Sequence, residues 1–172
     1  DIRLLASGPR AGLAELRLPA TQPGSSIMPG KVNPVMSEML VQVGLYVQGL
    51  SHTVAACGRE GHLELNATLP LMAHCLHESI HCLANGARVF TEKCLVGLEA
   101  DSVRCGELAA SSLMLVTSLT PFLGYDVAAA VATEALASGR SLFEVVLSRG
   151  LMDAATLNRA LDPRAMTQPA RT

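Results

Sequence analysis

Apolar residues recur along the middle of the chain at Met36, Leu40, Val43, Val47, Leu50, Val54 and Cys57, with spacings that alternate four and three. That period is one face of a helix packed along others at a shallow angle. Asn33 suits the N-cap, Pro34 the first helical position and Gly58 the stop. A rod of about two dozen residues at 1.5 Å each is on the order of 35 Å long. Gly58 to Glu64 then turn the chain. A second stripe runs through Leu69, Met72, Leu76, Ile80, Leu83, Ala87, Phe90 and Cys94, in a helix expected to start near Asn66 or Thr68. Pro70 is compatible with it because it falls in the first turn. Two such antiparallel rods would leave much apolar surface uncovered, which predicts a bundle completed by further helices and other subunits.

Either side of the rods the pattern is shorter and more broken. Residues 1–23 read as a helical end, a break at Ser7-Gly8-Pro9 and an irregular or extended piece through Leu18 and Pro19. After Gly97, a helix from Asp101 to about Ser118 is interrupted by two serines, and Pro121 and Gly124 form a turn. Tyr125 to Ser138 is alanine-rich and stops at Gly139. Ser141 and Glu144 make a capping box for a helix that Gly150 ends. Asp153 caps a last helix that stops at Asp162-Pro163, leaving a loose tail from Ala165. The expected organisation is therefore all-α, with bundle residues 1–100 followed by a small helical domain, 101–172.

Composition agrees with helices. Of the 172 residues 49% are hydrophobic but only 3% aromatic, so the apolar mass is Leu, Val, Ala and Met rather than the residues that build sheets. A net charge of -2 gives no footprint for nucleic acid or an anionic membrane. The chain holds no run of 18 uncharged apolar residues and opens with no signal-peptide pattern. Five cysteines without paired C-x-x-C spacing are expected to be reduced, buried thiols of a cytoplasmic protein. The start at Asp1, in apolar sequence resembling a helix end, suggests a fragment.

The chemistry concentrates between Gly24 and Pro34, in the string G-S-S-I-M-P-G-K-V-N-P. Two glycines and two prolines make it a loop. It carries two hydroxyls (Ser25, Ser26), an ammonium (Lys31) and an amide (Asn33), and it runs into the first rod. Small residues free backbone N–H groups to face an anion, and the helix start adds its dipole. By composition alone the stretch reads equally as an anion-binding loop or a flexible connector.

These eleven residues resemble the signature segment of the aspartase/fumarase superfamily, without an identifiable substitution. Ser7 to Leu13, Glu64-Leu65-Asn66 and Thr91-Glu92-Lys93-Cys94 also look like family sequence, so the resemblance covers essentially the whole chain. It implies a lyase, without cofactor or metal, that acts on small dicarboxylates through an aci-carboxylate intermediate. It also implies a homotetramer with sites shared between subunits, and an N-terminal portion, more than half of the family's chain, that is absent here. Ser25 maps onto the catalytic base and Ser26 onto a donor to the carboxyl that gains charge. Lys31 and Asn33 map onto ligands of the other carboxylate. Glu38 maps onto an acid paired with a histidine from another subunit. Peripheral similarities at Val35-Met36, Thr91 to Cys94 and Asn158 to Pro169 favour anti-elimination of ammonia from L-aspartate, with malate and fumarate as the alternative pair. His62, where relatives often carry an amide, and Ala67-Thr68-Leu69, in place of bulkier or charged residues, are departures that bear on the substrate.

His77-Glu78-Ser79-Ile80-His81 offers a competing reading, because H-E-x-x-H on a helix is the zinc-peptidase pattern. Two imidazoles one turn apart with a glutamate base would be coherent chemistry. The string nevertheless lies on the polar flank of the second stripe, in line with His74, Asn85, Arg88 and Glu92, as a solvated face would. No metal is expected there.

Overall fold

A computed structural model describes residues 1–167, whose regular elements are helices and one short antiparallel strand pair, with a long loop region before the first rod. It divides into two compact units, Asp1–Asp101 and the residues from Ser102 onward.

The first unit opens with α1 (Ile2–Leu5) and β1 (Leu16–Arg17), a two-residue strand within the piece expected to be irregular or extended. The two rods follow as α2 (Val35–Arg59) and α3 (Leu69–Phe90). A π-helical turn, Thr91–Leu95, continues α3, with Val96 N–H donating to the Thr91 carbonyl at 2.9 Å. β2 (Glu99–Ala100) then pairs with β1, Leu16 opposite Ala100 and Arg17 opposite Glu99. The Arg17 guanidinium donates to Asp101 Oδ2 at 2.6 and 3.2 Å and fixes that pairing.

On α2 the expected stripe is the one that packs: Met36, Leu40, Val43, Val47, Leu50 and Val54 are half-buried and Cys57 is buried. The helix continues through Gly58 to Arg59 instead of stopping, because the Thr68 hydroxyl donates to the Cys57 carbonyl at 3.0 Å and Glu60 N–H to the same oxygen. On α3 the expected stripe is only partly covered: Met72 and Phe90 are half-buried and Cys94 buried, but Leu76 is 50% exposed and Ile80 64%. Off the stripe, Cys75 and Gly86 are buried and Ser79, Cys82 and Val89 half-buried. The contact face thus lies about a quarter-turn from the aliphatic stripe and is made of smaller residues. At Gly86 a methyl group would stand 3.4 Å from Leu40 Cδ1 and 3.5 Å from Val43, ordinary contact, so the rods leave room there for a small side chain but not a large one. The start of α3, at Leu69 with Thr68 before it, is close to expectation. Between the rods, His62 and Leu65 pair as a tight hairpin with Leu63 and Glu64 at φ 48° and 70°.

The second unit contains α4 (Ser102–Ser111), a 3-10 stretch Leu113–Leu119, α5 (Thr120–Leu123), α6 (Tyr125–Ser138), α7 (Leu142–Ser148), α8 (Ala154–Ala160) and α9 (Pro163–Met166). Pro121 lies in the first turn of α5 rather than in a non-helical turn, and Gly124 at φ 77° separates α5 from α6. Asp162-Pro163 likewise starts α9 instead of ending the helical part, since the Asp162 carboxylate accepts from Arg164 N–H at 3.0 Å. The remainder of the expected tail lies outside the described residues. Leu119, Val131, Val145, Val146 and Leu157 are fully buried and form a core with Leu115, Ala135 and Leu142. The capping box at Ser141 and Glu144 is present, and Asp153 caps α8 through Ala155 and Thr156 N–H.

Candidate functional site

The 24–34 loop is a closed ring, not a slack connector. Gly24 N–H donates to the Lys31 carbonyl at 2.7 Å, and Asn33 Nδ2 donates to the Gly24 carbonyl at 3.2 Å. A side chain on Gly24 would stand 2.9 Å from the Lys31 oxygen and 3.0 Å from Asn33, so the closure needs glycine. Gly30, at φ 76°, makes the reversal at the far end, where Lys31 N–H meets the Met28 carbonyl at 3.3 Å. The ring brings the residues flanking Gly24 close to the backbone of Lys31, so Ser25, Ser26, Lys31 and Asn33 share one small structure.

Ser25 is the best-held of the four. Its Oγ accepts the backbone N–H of Ile27 and of Met28, each at 3.2 Å. Hydrogen bonds to an oxygen favour its charged form, and here two donors converge on one hydroxyl. Ser26 and Lys31 are exposed on the same ring, and Ile27, 91% exposed, projects from its tip. Asn33 departs from expectation. Its side chain turns back to the ring, while Pro34 occupies the N-cap position of α2 without a side-chain cap bond. Glu38 is half-buried in the first turn of α2, its N–H bonded to the Pro34 carbonyl. That the N–H groups of Ile27 and Met28 are the ones that meet Ser25 was not readable from residue types, and only the glycine spacing hinted at a closed ring.

The second constellation does not converge. His74, His77 and His81 are exposed on one side of α3. His81 Nε2 lies 3.0 Å from Asn85 Nδ2, Arg88 donates to Asn85 at 3.4 Å, and Arg88 pairs with Glu92 at 3.4 Å. This is a surface ladder of i, i+3 and i, i+4 contacts. Among the described residues no three His, Cys, Asp or Glu side chains stand close enough to hold a metal ion. Of the cysteines, Cys57, Cys75 and Cys94 are buried and Cys82 and Cys105 half-buried. Burial, with a bond to Glu78, pushes the Cys82 thiol up. Among the described residues no single helix is long and apolar enough to cross a membrane.

Two families match the sequence: one described as "Lyase" over residues 1–49 and one described as "Fumarase C C-terminus" over residues 115–168. The chain is 48% identical over 169 residues to a class II fumarate hydratase of Bradyrhizobium diazoefficiens, covering 98% of this chain and 36% of that protein. It is 45% identical over 169 residues to an aspartate ammonia-lyase of Bacillus subtilis, with the same coverages. Its structure superposes on a fumarate lyase/delta crystallin of Brucella melitensis with a TM-score of 0.92 and 47% identity, over 98% of this chain and 36% of that one. The chain therefore spans little more than a third of the length of these relatives.

Proposed function

Because the chain belongs to the aspartase/fumarase superfamily, whose C-terminal portion it matches, we propose that it forms part of a lyase that removes a small leaving group from a dicarboxylate. The observation that carries this reading is the pair of backbone N–H groups on Ser25 Oγ. Abstracting a C–H proton next to a carboxylate requires a strong base, and a serine alkoxide is strong but scarcely populated unaided. Two donors fixed by the ring favour that alkoxide without reorganising during the reaction. Ser25 is thus the base. Ser26 donates to the carboxyl that becomes the aci-carboxylate, and Lys31 and Asn33 hold the other carboxylate. Glu38 orients a histidine contributed by another subunit of a homotetramer in the cytoplasm.

For the leaving group we favour ammonia, with L-aspartate giving fumarate. Val35-Met36 after Asn33-Pro34 and Thr91 to Cys94 support this choice, and the alternative is water leaving malate. Steady-state assays of the full-length protein with aspartate and with malate separate the two. Turnover of aspartate alone is the expected result, turnover of malate alone reassigns the leaving group, and turnover of neither overturns the reading.

A further inference from the structure

Beneath the root of the ring lies a small cavity whose walls include Leu18 and Thr21, Asn33 and Ser37 at the start of α2, and Lys93 and Cys94 of the π-helical turn. Its volume, about 10 Å³ as traced by the centre of a water-sized sphere, is that of one water molecule and of nothing larger. Ser37 is only 8% exposed, and its Oγ is buried without a hydrogen-bond partner among the described residues. A helical serine ordinarily satisfies its hydroxyl on the carbonyl four residues back. Here that carbonyl, of Asn33, accepts Val35 N–H at 2.8 Å and receives no bond from the Ser37 hydroxyl. A hydroxyl left unpaired in such surroundings costs free energy comparable to a lost hydrogen bond. Because Ser37 is buried within its own unit, whatever satisfies it must be small.

We propose that this cavity binds a single ordered water molecule, held by the Ser37 hydroxyl together with Thr21 and Lys93. The bound water braces Asn33 and Pro34, the root of the 24–34 ring, against the π-helical turn. Ser37 is then a positioning residue: it touches no substrate but holds the segment that carries Asn33. The π-helical turn fits the same design, since its widened register brings Lys93 and Cys94 to the cavity wall, and such turns often mark functional sites. The effect on turnover rests on the proposed function; the water site and the bracing do not.

The test is a high-resolution crystal structure and an amide-exchange measurement on the full-length protein, wild type and Ser37→Ala, with Thr21→Val as a second variant that leaves the helix untouched. The wild type should show a water within about 2.7–3.2 Å of Ser37 Oγ. Ser37→Ala should lose it and exchange the amides of the ring about five- to tenfold faster, as the loss of one buried hydrogen bond implies. Its KM for the dicarboxylate should rise by a similar factor as Asn33 loosens. A dry cavity with the Ser37 hydroxyl bonded to the Asn33 carbonyl would overturn the proposal, as would unchanged exchange in both variants. If water and exchange behave as stated while no dicarboxylate is turned over, the water site stands and the lyase reading fails.

Discussion

Ser25 and His77 illustrate how residue type alone misleads and how local geometry decides. Serine is a poor base in isolation, yet Ser25 Oγ is met by two N–H donors from the tip of its own ring. Histidine is a good ligand in isolation, yet His77 stands exposed on α3, and its neighbour His81 is engaged with Asn85 instead of facing a shared ion. Two imidazoles on a bare helix face give an ion neither a third ligand nor a shell that excludes water. Zinc should therefore leave the melting temperature of the full-length protein unchanged, because a ligand stabilises only by binding the native state. Differential scanning calorimetry with and without zinc checks this, and a zinc-dependent rise abolished by His77→Ala/His81→Ala would restore the peptidase reading.

Among the elements, the α2–α3 pair turns on Gly86. A methyl group there meets Leu40 and Val43 at ordinary contact distance, and alanine is a better helix former than glycine by about 1 kcal/mol. Gly86→Ala should therefore be neutral or stabilising, whereas Gly86→Leu should cost roughly 1–3 kcal/mol by overpacking. Urea unfolding midpoints separate the cases, and a leucine variant as stable as wild type would mean the helices do not meet there. In the second unit the caps make stability acid-sensitive. The backbone and hydroxyl bonds of Ser141 hold the Glu144 carboxyl below its ordinary 4.5, and those of Thr156 hold Asp153 below 3.8. A depressed carboxyl contributes stability that is full above its unfolded value and is lost as pH falls through its folded value. Melting temperature should hold from neutral pH to about 4.5 and then fall. Glu144→Gln should flatten part of that fall, and an unchanged acid profile in the variant would contradict the assignment.

The α2 stripe, the α6 boundaries and the capping box were legible in the sequence because each rests on local rules: period, a left-handed glycine at 139, a serine with a glutamate three residues on. The contact face of α3 was not. Periodicity finds the most apolar stripe, but α3 packs on α2 through Cys75, Ser79, Cys82 and Gly86, where smallness counts for more than hydropathy. The β1–β2 pair was missed for a related reason, since two residues pairing across more than eighty others leave no local period. At the site, residue types were readable, but the ring closure depends on backbone groups that every residue carries.

For the whole molecule, exposed aliphatic side chains are the outstanding feature. Leu69, Leu76 and Ile80 on α3 and Val41 and Leu45 on α2 face outward. Rows of this kind mark surfaces that other protein covers. The same reasoning supports the proposed tetramer, in which the 24–34 ring forms one wall of a site and other segments form the rest. The chemistry must therefore be tested in the assembled protein. The most direct measurement is steady-state kinetics of full-length Ser25→Ala, beside Lys31→Ala, with the substrate that the wild type turns over. Removing the base while leaving the carboxylate ligands should lower kcat by roughly 10²–10⁴ and change KM little. Lys31→Ala should raise KM as well, because it holds the substrate in ground and transition states alike. A Ser25→Ala enzyme that keeps most of its kcat would show that Ser25 is not the base and that the ring's two N–H donors serve only the fold.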